Sequence, residues 1–347
     1  MTKNYSNLLV LFSLLFIFSA CEDSEDINFK TAGVYIFHEG GFGSNNATIG
    51  SYDPETLEYN PNLYGGQNSG FVGDVQQNIL VDNGTIYSVL NGSNSIEIMG
   101  SNLKSEGEIS FPELDKPRDI AVAGNLAYIA NWGPYDQNFS LFASEIFVVD
   151  LSTNSLIERI EVQEYPEHLF IKNNQLIVSH SSFDGSISEI SIINLNNLQV
   201  EQTIALPNGP QEIVEDENGS IWIVCTSGSL IQLNASLTSI ENRIDLDGEV
   251  LGDIDVDGNS IYFYSANEIS FLNTADNTVS NTGIEVEMQT PYAFAVDPVS
   301  GDFYLGDALD YSSEGLMIRY SNEGELLDMF PSGIIPTQFT FNIERDR

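Results

Sequence analysis

Polar and charged side chains recur at the start of regularly spaced apolar segments, where they could form one ligand-binding ring. They are Asp74, Arg118, Asp119, Glu167, His168, Gln211, Glu212, Asp253, Tyr292 and Gln338. Arg118 is one of only 11 Lys and Arg residues in the chain, so its guanidinium is a candidate anchor for a ligand phosphate or carboxylate. The alternative is a structural ion pair with Asp119 or Glu167.

The same set raises the question of a metal site. His168 could ligate a metal, although a lone histidine is more often structural, and a ring of carboxylates could supply the several oxygens that Ca²⁺ needs. More often such carboxylates accept hydrogen bonds from nearby backbone N–H groups and hold neighbouring segments together. G-x-S-x-G, H-E-x-x-H and P-loop motifs are absent from the sequence. We predict no metal, no cofactor and no catalytic residue.

Aromatic residues form a second set of candidates, because they lie in long polar segments between apolar ones. These segments are 39–46, 131–144, 179–186 and 306–315, and they carry Phe42, Trp132, Tyr135, Phe139, Phe183 and Tyr311. Loops on a rigid scaffold concentrate binding residues, and Tyr and Trp give large contact areas at low entropic cost. The alternative is that these rings pack only against their own loops. The predicted ligand-binding residues are Phe42, Arg118, Trp132, Tyr135, His168, Phe183, Gln211, Tyr292 and Tyr311.

A repeated unit must position these residues. Six segments each read as a short apolar strand, a turn rich in Asn, Asp or Gly, and a second strand, followed by a third strand and a weaker fourth. Aligned on the residue before the first apolar run, the units fall at Asp74, Asp119, His168, Glu212, Asp253 and Ala293, with spacings of 45, 49, 44, 41 and 40 residues. This period is typical of a four-stranded propeller blade.

The two ends of the chain complete a seventh unit. One strand, "PTQFTFNIE", ends the sequence, and three strand-like segments begin it at "GVYIFHEG", "ATIGSYD" and "LEYN". Strands such as "IYFYS" are apolar at nearly every position, as expected when both faces are buried. We predict an all-β fold, a seven-bladed β-propeller with four antiparallel strands per blade, closed by one C-terminal strand plus three N-terminal strands. A two-sheet sandwich is the weaker alternative.

Composition limits the possible partners. The 347 residues carry a formal net charge of −40, which repels nucleic-acid phosphates and anionic lipid head groups. We therefore expect no nucleic-acid partner, and contact with a membrane only through a lipid anchor. Cys225 lies in the apolar segment "SIWIVCTS" and is predicted to be a small buried hydrophobic residue.

The first residues predict secretion and lipidation. An apolar run ends at Ser19-Ala20-Cys21, which resembles the lipobox of bacterial lipoproteins, where the cysteine thiol carries diacylglycerol. Glu22–Asp26 then resembles the acidic surface-export signal of Bacteroidota lipoproteins. We predict a signal peptide at 1–20, an acidic flexible tether at 21–31 and a propeller at 32–347. The predicted location is the outer membrane, with the propeller facing the cell exterior.

Three longer segments resemble the YncE-like seven-bladed propeller lipoproteins of Bacteroidota: "GVYIFHEGGFGSNNATIGSYDPETLE", "DLSTNSLIERIEV" and "TPYAFAVDPVSGDFYLGDALDYSSEGLMIRY". Some members of that family capture cobalamin for TonB-dependent outer-membrane transporters. The resemblance implies a non-enzymatic surface lipoprotein with a corrinoid as the leading ligand and such a transporter as partner. A protein-interaction or adhesion propeller, and a metal-dependent lactonase-like hydrolase, are the alternatives.

Overall fold

The fold was determined as a computed structural model that describes residues 28–346. The N-terminal part contributes β1 (Phe29–His38), β2 (Thr48–Tyr52) and β3 (Tyr59–Asn60), followed by one short helix, α1 (Leu63–Asn68). Six consecutive groups of four strands follow, and a last strand, β28 (Pro336–Arg345), ends the fold. Each group forms one antiparallel sheet, which is one blade.

The first three of these groups lie between residues 76 and 205. Blade 1 contains β4 (Gln76–Asp82), β5 (Thr85–Leu90), β6 (Ser95–Gly100) and β7 (Ser105–Ile109). Blade 2 contains β8 (Pro117–Ala123), β9 (Leu126–Asn131), β10 (Glu145–Asp150) and β11 (Ser155–Glu161). Blade 3 contains β12 (Pro166–Lys172), β13 (Gln175–Ser181), β14 (Ser188–Asn194) and β15 (Gln199–Ala205).

The other three groups lie between residues 210 and 334. Blade 4 contains β16 (Pro210–Glu215), β17 (Ile221–Cys225), β18 (Ser229–Leu233) and β19 (Ile240–Asp245). Blade 5 contains β20 (Val250–Asp257), β21 (Ser260–Ser265), β22 (Glu268–Asn273) and β23 (Thr278–Glu285). Blade 6 contains β24 (Pro291–Val296), β25 (Phe303–Asp307), β26 (Glu314–Tyr320) and β27 (Leu326–Ile334).

Blade 7 closes the ring. Its strand order is β28-β1-β2-β3, so the last strand of the chain is innermost and three N-terminal strands complete the sheet. The predicted all-β propeller, its seven blades and its closure are confirmed. β1 begins at Phe29, inside the segment 21–31 that the sequence suggested as a tether, because Phe29 pairs with Arg345 at the far end of β28. Residues 1–27, with the predicted signal peptide and Cys21, lie outside the described residues.

Tight turns and buried faces explain the blades. Asn83 and Gly84 both have positive φ (48° and 82°) in the two-residue turn between β4 and β5, the type of turn that suits the twist of a hairpin. Apolar side chains of adjacent blades pack against each other, as Ile177 of blade 3 does with Ile223 of blade 4. Cys225 lies in that same layer and is fully buried, as predicted. Burial on both faces accounts for the apolar runs.

The short helix α1 was not part of the all-β prediction. Asn62 caps α1, since its side-chain oxygen accepts a hydrogen bond from the Gly65 N–H at 2.8 Å. Six residues that include two glycines are too short to show a periodic pattern. Across residues 28–346, no helix has both the length and the apolar character that crossing a membrane would require.

Candidate functional site

The innermost strand of every blade contributes a residue to a ring that lines a pit on the propeller axis. Six of these residues are the second residue of their innermost strand, and Gly252 is the third residue of β20. The ring consists of Gln77, Arg118, Glu167, Gln211, Gly252, Tyr292 and Thr337. The pit has a volume of about 470 Å³. Because strand direction alternates within a blade, this end also carries the loops between second and third strands. The ring therefore lies on the face where the sequence placed the aromatic loops.

In blades 2, 4 and 5, the next residue of the innermost strand is a carboxylate that joins this blade to the following one. Asp119 accepts a hydrogen bond from the Leu169 N–H of the following blade at 2.7 Å. Glu212 accepts one from the Ile254 N–H in the same way, also at 2.7 Å. Asp253 accepts a hydrogen bond from the Phe294 N–H of blade 6 at 3.2 Å. These carboxylates bridge the blades, which favours the structural interpretation of the acidic ring over calcium binding.

The position of Asp74 corrects the sequence alignment of blade 1. Asn78, not Asp74, is the equivalent of Asp119, since each accepts a hydrogen bond from the next residue's N–H at 2.7 Å. Asp74 precedes β4 and its carboxylate instead accepts hydrogen bonds from the Gly43 N–H at 3.0 and 3.1 Å. The misalignment arose because both residues stand shortly before the same apolar run, residues 79–81.

Arg118 takes part in a compact network. Its Nη2 donates to Glu167 Oε2 at 2.7 Å, its Nε donates to the same oxygen at 2.9 Å, and its Nη1 donates to Gln77 Oε1. The guanidinium lies 4.2 Å from the ring centre of Trp132, whose indole N–H donates to Glu167 Oε1 at 3.2 Å. Of the two sequence interpretations of Arg118, the ion pair with Glu167 is the one found. Its charge is compensated before any ligand binds.

Burial makes the pit less anionic than its composition suggests. Desolvation raises the pKa of Asp253 to about 7. The pKa of Glu212 is also raised, first by burial and then by the charge of Asp253. Burial, with a smaller contribution from Arg118, lowers the pKa of His168 to about 4, so its ring is neutral at pH 7. These shifts reduce the negative charge of the pit near neutral pH.

Two tyrosines form the wall of the pit at blade 6. Tyr292 and Tyr311 pack edge to face with ring centres 5.9 Å apart, and both line the pit. The Tyr292 hydroxyl donates to Glu39 Oε1 at 2.6 Å, which fixes its ring. Burial raises the pKa of Glu39, and the tyrosine hydrogen bond partly offsets that effect. Tyr311 is about half exposed and is the aromatic surface available to a ligand.

The rim of the pit is low over blades 4 and 5. There the second and third strands are joined only by residues 226–228 and 266–267, while blade 2 uses residues 132–144 for the same connection. Gly252 adds room on this side, because it places no side chain between Gln211 and Tyr292 in the ring. A ligand can therefore reach the pit over blades 4 and 5, beside Tyr311.

The structure divides the nine predicted binding residues into two groups. Five line the pit: Arg118, His168, Gln211, Tyr292 and Tyr311. Four do not: Phe42, Trp132, Tyr135 and Phe183. Trp132 was predicted to bind the ligand, but it is 5% exposed because Arg118 and Glu167 enclose its indole. Phe42 and Phe183 are 89% and 86% exposed at loop tips. The aromatic loops therefore do not form one surface around the pit.

Sequence reasoning missed several pit residues. Gln77 and Thr337 belong to the inner ring, and Glu39 anchors Tyr292. Gln77 and Thr337 each stand one residue before the position used to align the blades, Asn78 in blade 1 and Gln338 in blade 7. A correct alignment of blade 1 would therefore have indicated both. Glu39 has no comparable signal, because it lies just after β1 and reaches Tyr292 only after the ring closes. Among residues 28–346, no group of three or more His, Cys, Asp or Glu side chains is arranged to hold a metal ion.

Comparison with known proteins identifies the fold and no more. No family model matches the chain, and no curated protein sequence matches it. A quinoprotein alcohol dehydrogenase-like protein of Bacteroides thetaiotaomicron has a similar structure, with a TM-score of 0.69 and 14% identity over 88% of this chain and 78% of that one. A candidate 6-phosphogluconolactonase of Bacteroides fragilis is similar with a TM-score of 0.65 and 12% identity, over 90% of this chain and 98% of that one. Hydrazine synthase of Kuenenia stuttgartiensis is similar with a TM-score of 0.59 and 14% identity, over 77% of this chain and 93% of that one.

Proposed function

We propose that this chain is a non-enzymatic binding protein that captures a polar, largely uncharged ligand in the axial pit. The observation that carries the proposal is the ring of seven residues, one from the innermost strand of each blade, around a pit of about 470 Å³. Pits of this size that combine a few fixed polar groups with aromatic walls are typical of small-molecule sites. The outer parts of a larger ligand would rest on the low rim over blades 4 and 5.

The chemistry of the lining favours amide or hydroxyl groups on the ligand. Gln77, Gln211 and Gln338 bring carboxamides into the pit, and Thr226 and Thr337 bring hydroxyls. The single guanidinium is already paired, so a phosphate would find no free cation to compensate its charge. A flat part of the ligand could pack on the exposed ring of Tyr311.

A corrinoid is the first ligand to test. This choice rests on the likeness to YncE-like lipoproteins noted in the sequence, and the lining is compatible with it. A corrinoid is broad and flat with a polar amide rim, so amide side chains would enter the pit while the ring lies across the low rim. We propose further that Cys21 anchors the protein to the outer membrane and that the ligand passes to a TonB-dependent transporter.

A thermal-shift screen tests ligand capture. The purified mature chain is heated with cyanocobalamin, haem, neutral sugars and divalent metal ions in separate wells. A captured ligand raises the melting temperature in a concentration-dependent manner, because it binds only the folded state. We expect cyanocobalamin to give the largest increase.

The matched variant is Gly252→Leu, which fills the pit from within. Gly252 has no positive φ, and a Cβ at this position would lie 3.4 Å or more from its neighbours, so the backbone tolerates a side chain. We expect this variant to fold normally and to lose the ligand-induced shift. If every tested compound leaves the melting temperature of the unaltered chain unchanged, these ligand classes are excluded. An adhesion or protein-interaction role would then be the better account.

A further inference from the structure

A second exposed surface, which the pit does not use, lies on blades 2 and 3. It consists of Tyr135, Phe139, Phe142 and Phe183, which we call the aromatic patch. Phe139 and Phe183 are 84% and 86% exposed, and none of the four lines the pit. Phe183 also contacts Trp132, at the base of the loop that carries the other three, with ring centres 5.8 Å apart. Exposed aromatic residues carried by two loops that contact each other mark an interaction site.

The exposed rings are held in place by short hydrogen-bonded turns. In blade 2, Asp136 Oδ1 accepts hydrogen bonds from the N–H groups of Asn138 at 2.7 Å and Ser140 at 2.9 Å, which shapes the tip around Phe139. In blade 3, Asp184 Oδ1 accepts hydrogen bonds from the Ser186 N–H at 3.0 Å and the Ser186 hydroxyl at 2.6 Å beside Phe183. Such preorganisation reduces the entropy lost on binding.

Each of these phenylalanines is therefore flanked by a negative charge. Hydrogen bonds lower the pKa of Asp136, and they lower that of Asp184 to about 2, so both are ionised at neutral pH. The nearby cation Lys116 is paired with Asp115 at 2.7 Å and lies 5.0 Å from the ring centre of Tyr135, so its charge is compensated. The surface offers aromatic rings within a negative field.

We propose that the aromatic patch docks a partner protein whose apolar clefts are edged by lysine and arginine side chains. Charge complementarity selects this occupant. A second copy of the chain, at a net charge of −40, would be repelled, and so would an anionic lipid surface. Phe139 and Phe183 would fill the clefts, while Asp136 and Asp184 would pair with the cations at their edges. The inference stands apart from ligand capture, because the patch and the pit share no residue.

Site-specific photo-crosslinking identifies the occupant. A benzoylphenylalanine is placed at position 139 or 183 in the full-length chain, in the cells that normally produce it. Control positions are Ile157 and Val200, which are exposed apolar residues on the outermost strands of the same two blades. We expect one protein to be captured at 139 and 183 but not at 157 or 200, through a segment bordered by Lys or Arg.

Purified variants then test the chemistry with the captured protein. The Phe139→Ser and Phe183→Ser pair should weaken binding at least about tenfold, as expected for central aromatic anchors, while Ile157→Ser with Val200→Ser should leave it unchanged. Asp136→Asn with Asp184→Asn keeps an oxygen acceptor in each turn but removes the charge, and should weaken binding several-fold at low salt.

The proposal would be overturned if the crosslinks formed only with lipid, glycan or the chain itself, or if no adduct exceeded the controls. A crosslinked segment without Lys or Arg would also overturn it. A failed ligand screen would leave these outcomes untouched.

Discussion

Arg118 shows how a residue with apparent binding chemistry can serve the fold. Its guanidinium meets a carboxylate, a carboxamide and an indole face at once, so its hydrogen-bonding capacity is largely used inside the protein. The rarity of cations in the sequence made Arg118 conspicuous without indicating which partner it has. Glu167 stands one blade away in the sequence, and only the ring geometry brings the two together.

Replacing Arg118 with Ala tests how much this network contributes to the stability of the fold. The change leaves the Glu167 carboxylate, whose side chain is 5% exposed, buried without its cation. We expect the free energy of unfolding to fall by about 3 to 5 kcal/mol, the usual cost of leaving one buried charge unpaired. Urea denaturation monitored by tryptophan fluorescence gives the value.

Arg243→Ala is the matched control for that measurement. Arg243 pairs with Asp245 at 2.6 Å, but both side chains are largely exposed. Its removal should change the free energy of unfolding by no more than about 0.5 kcal/mol. Equal effects of the two substitutions would contradict the structural role given to Arg118.

At the scale of strands and loops, the sequence was most informative where spacing was regular. Turn residues such as Asn83-Gly84 and fully apolar strands such as "IWIVC" predicted the blades, because hairpin geometry and two-sided burial leave local patterns. Neither the short helix α1 nor which aromatic loops lie beside the pit could be predicted. Both depend on which loops become neighbours when the ring closes, and no local pattern encodes that.

The bridging carboxylates give a prediction about contact between blades. Glu212→Ala leaves the N–H of the buried residue Ile254 without its acceptor, and the stability should fall by about 1 to 3 kcal/mol. Glu212→Gln keeps an acceptor oxygen and should cost less. Chemical denaturation of both variants measures the difference. If Gln destabilises as much as Ala, the hydrogen bond to blade 5 is not what Glu212 provides.

Closure by β28 gives a second prediction at this scale. Deleting residues 336–347 removes the innermost strand of blade 7 and leaves the inner edge of β1 unpaired. We expect loss of cooperative thermal unfolding together with aggregation on size-exclusion chromatography. A chain that lacks only residues 346–347 should behave as the full-length chain does. A monomeric, cooperatively folding deletion variant would contradict the closed ring.

For the molecule as a whole, the buried carboxylates link stability to pH. The pKa values of Asp119 and Asp253 are raised to about 7 in the folded protein by burial, against about 4 in an unfolded chain. The folded state therefore binds more protons than the unfolded state between these values. Their contribution to stability is fully present below about pH 4 and is lost as the pH rises through about 7. Repulsion within a strongly acidic chain acts in the same direction.

Unfolding free energies measured from pH 5 to pH 8.5 test this linkage. We expect stability to fall as pH rises, with each such carboxylate contributing at most about 1.4 kcal/mol per pH unit. Asp253→Asn is uncharged at every pH and keeps an acceptor for the Phe294 N–H, so its profile should be flatter. A stability that rises from pH 5 to pH 8.5 would show that these groups are ionised and well compensated in the fold.

The central claim is that the axial pit, and not the exposed phenylalanines, holds the ligand. Calorimetric titration of cyanocobalamin into the mature chain tests it most directly. We predict saturable one-site heat at micromolar concentrations that Gly252→Leu and Tyr311→Ala abolish, while Phe139→Ser with Phe183→Ser leaves it unchanged. Absence of heat in the unaltered chain would remove this ligand. Binding that survives Gly252→Leu but is lost with the phenylalanines would contradict the claim itself.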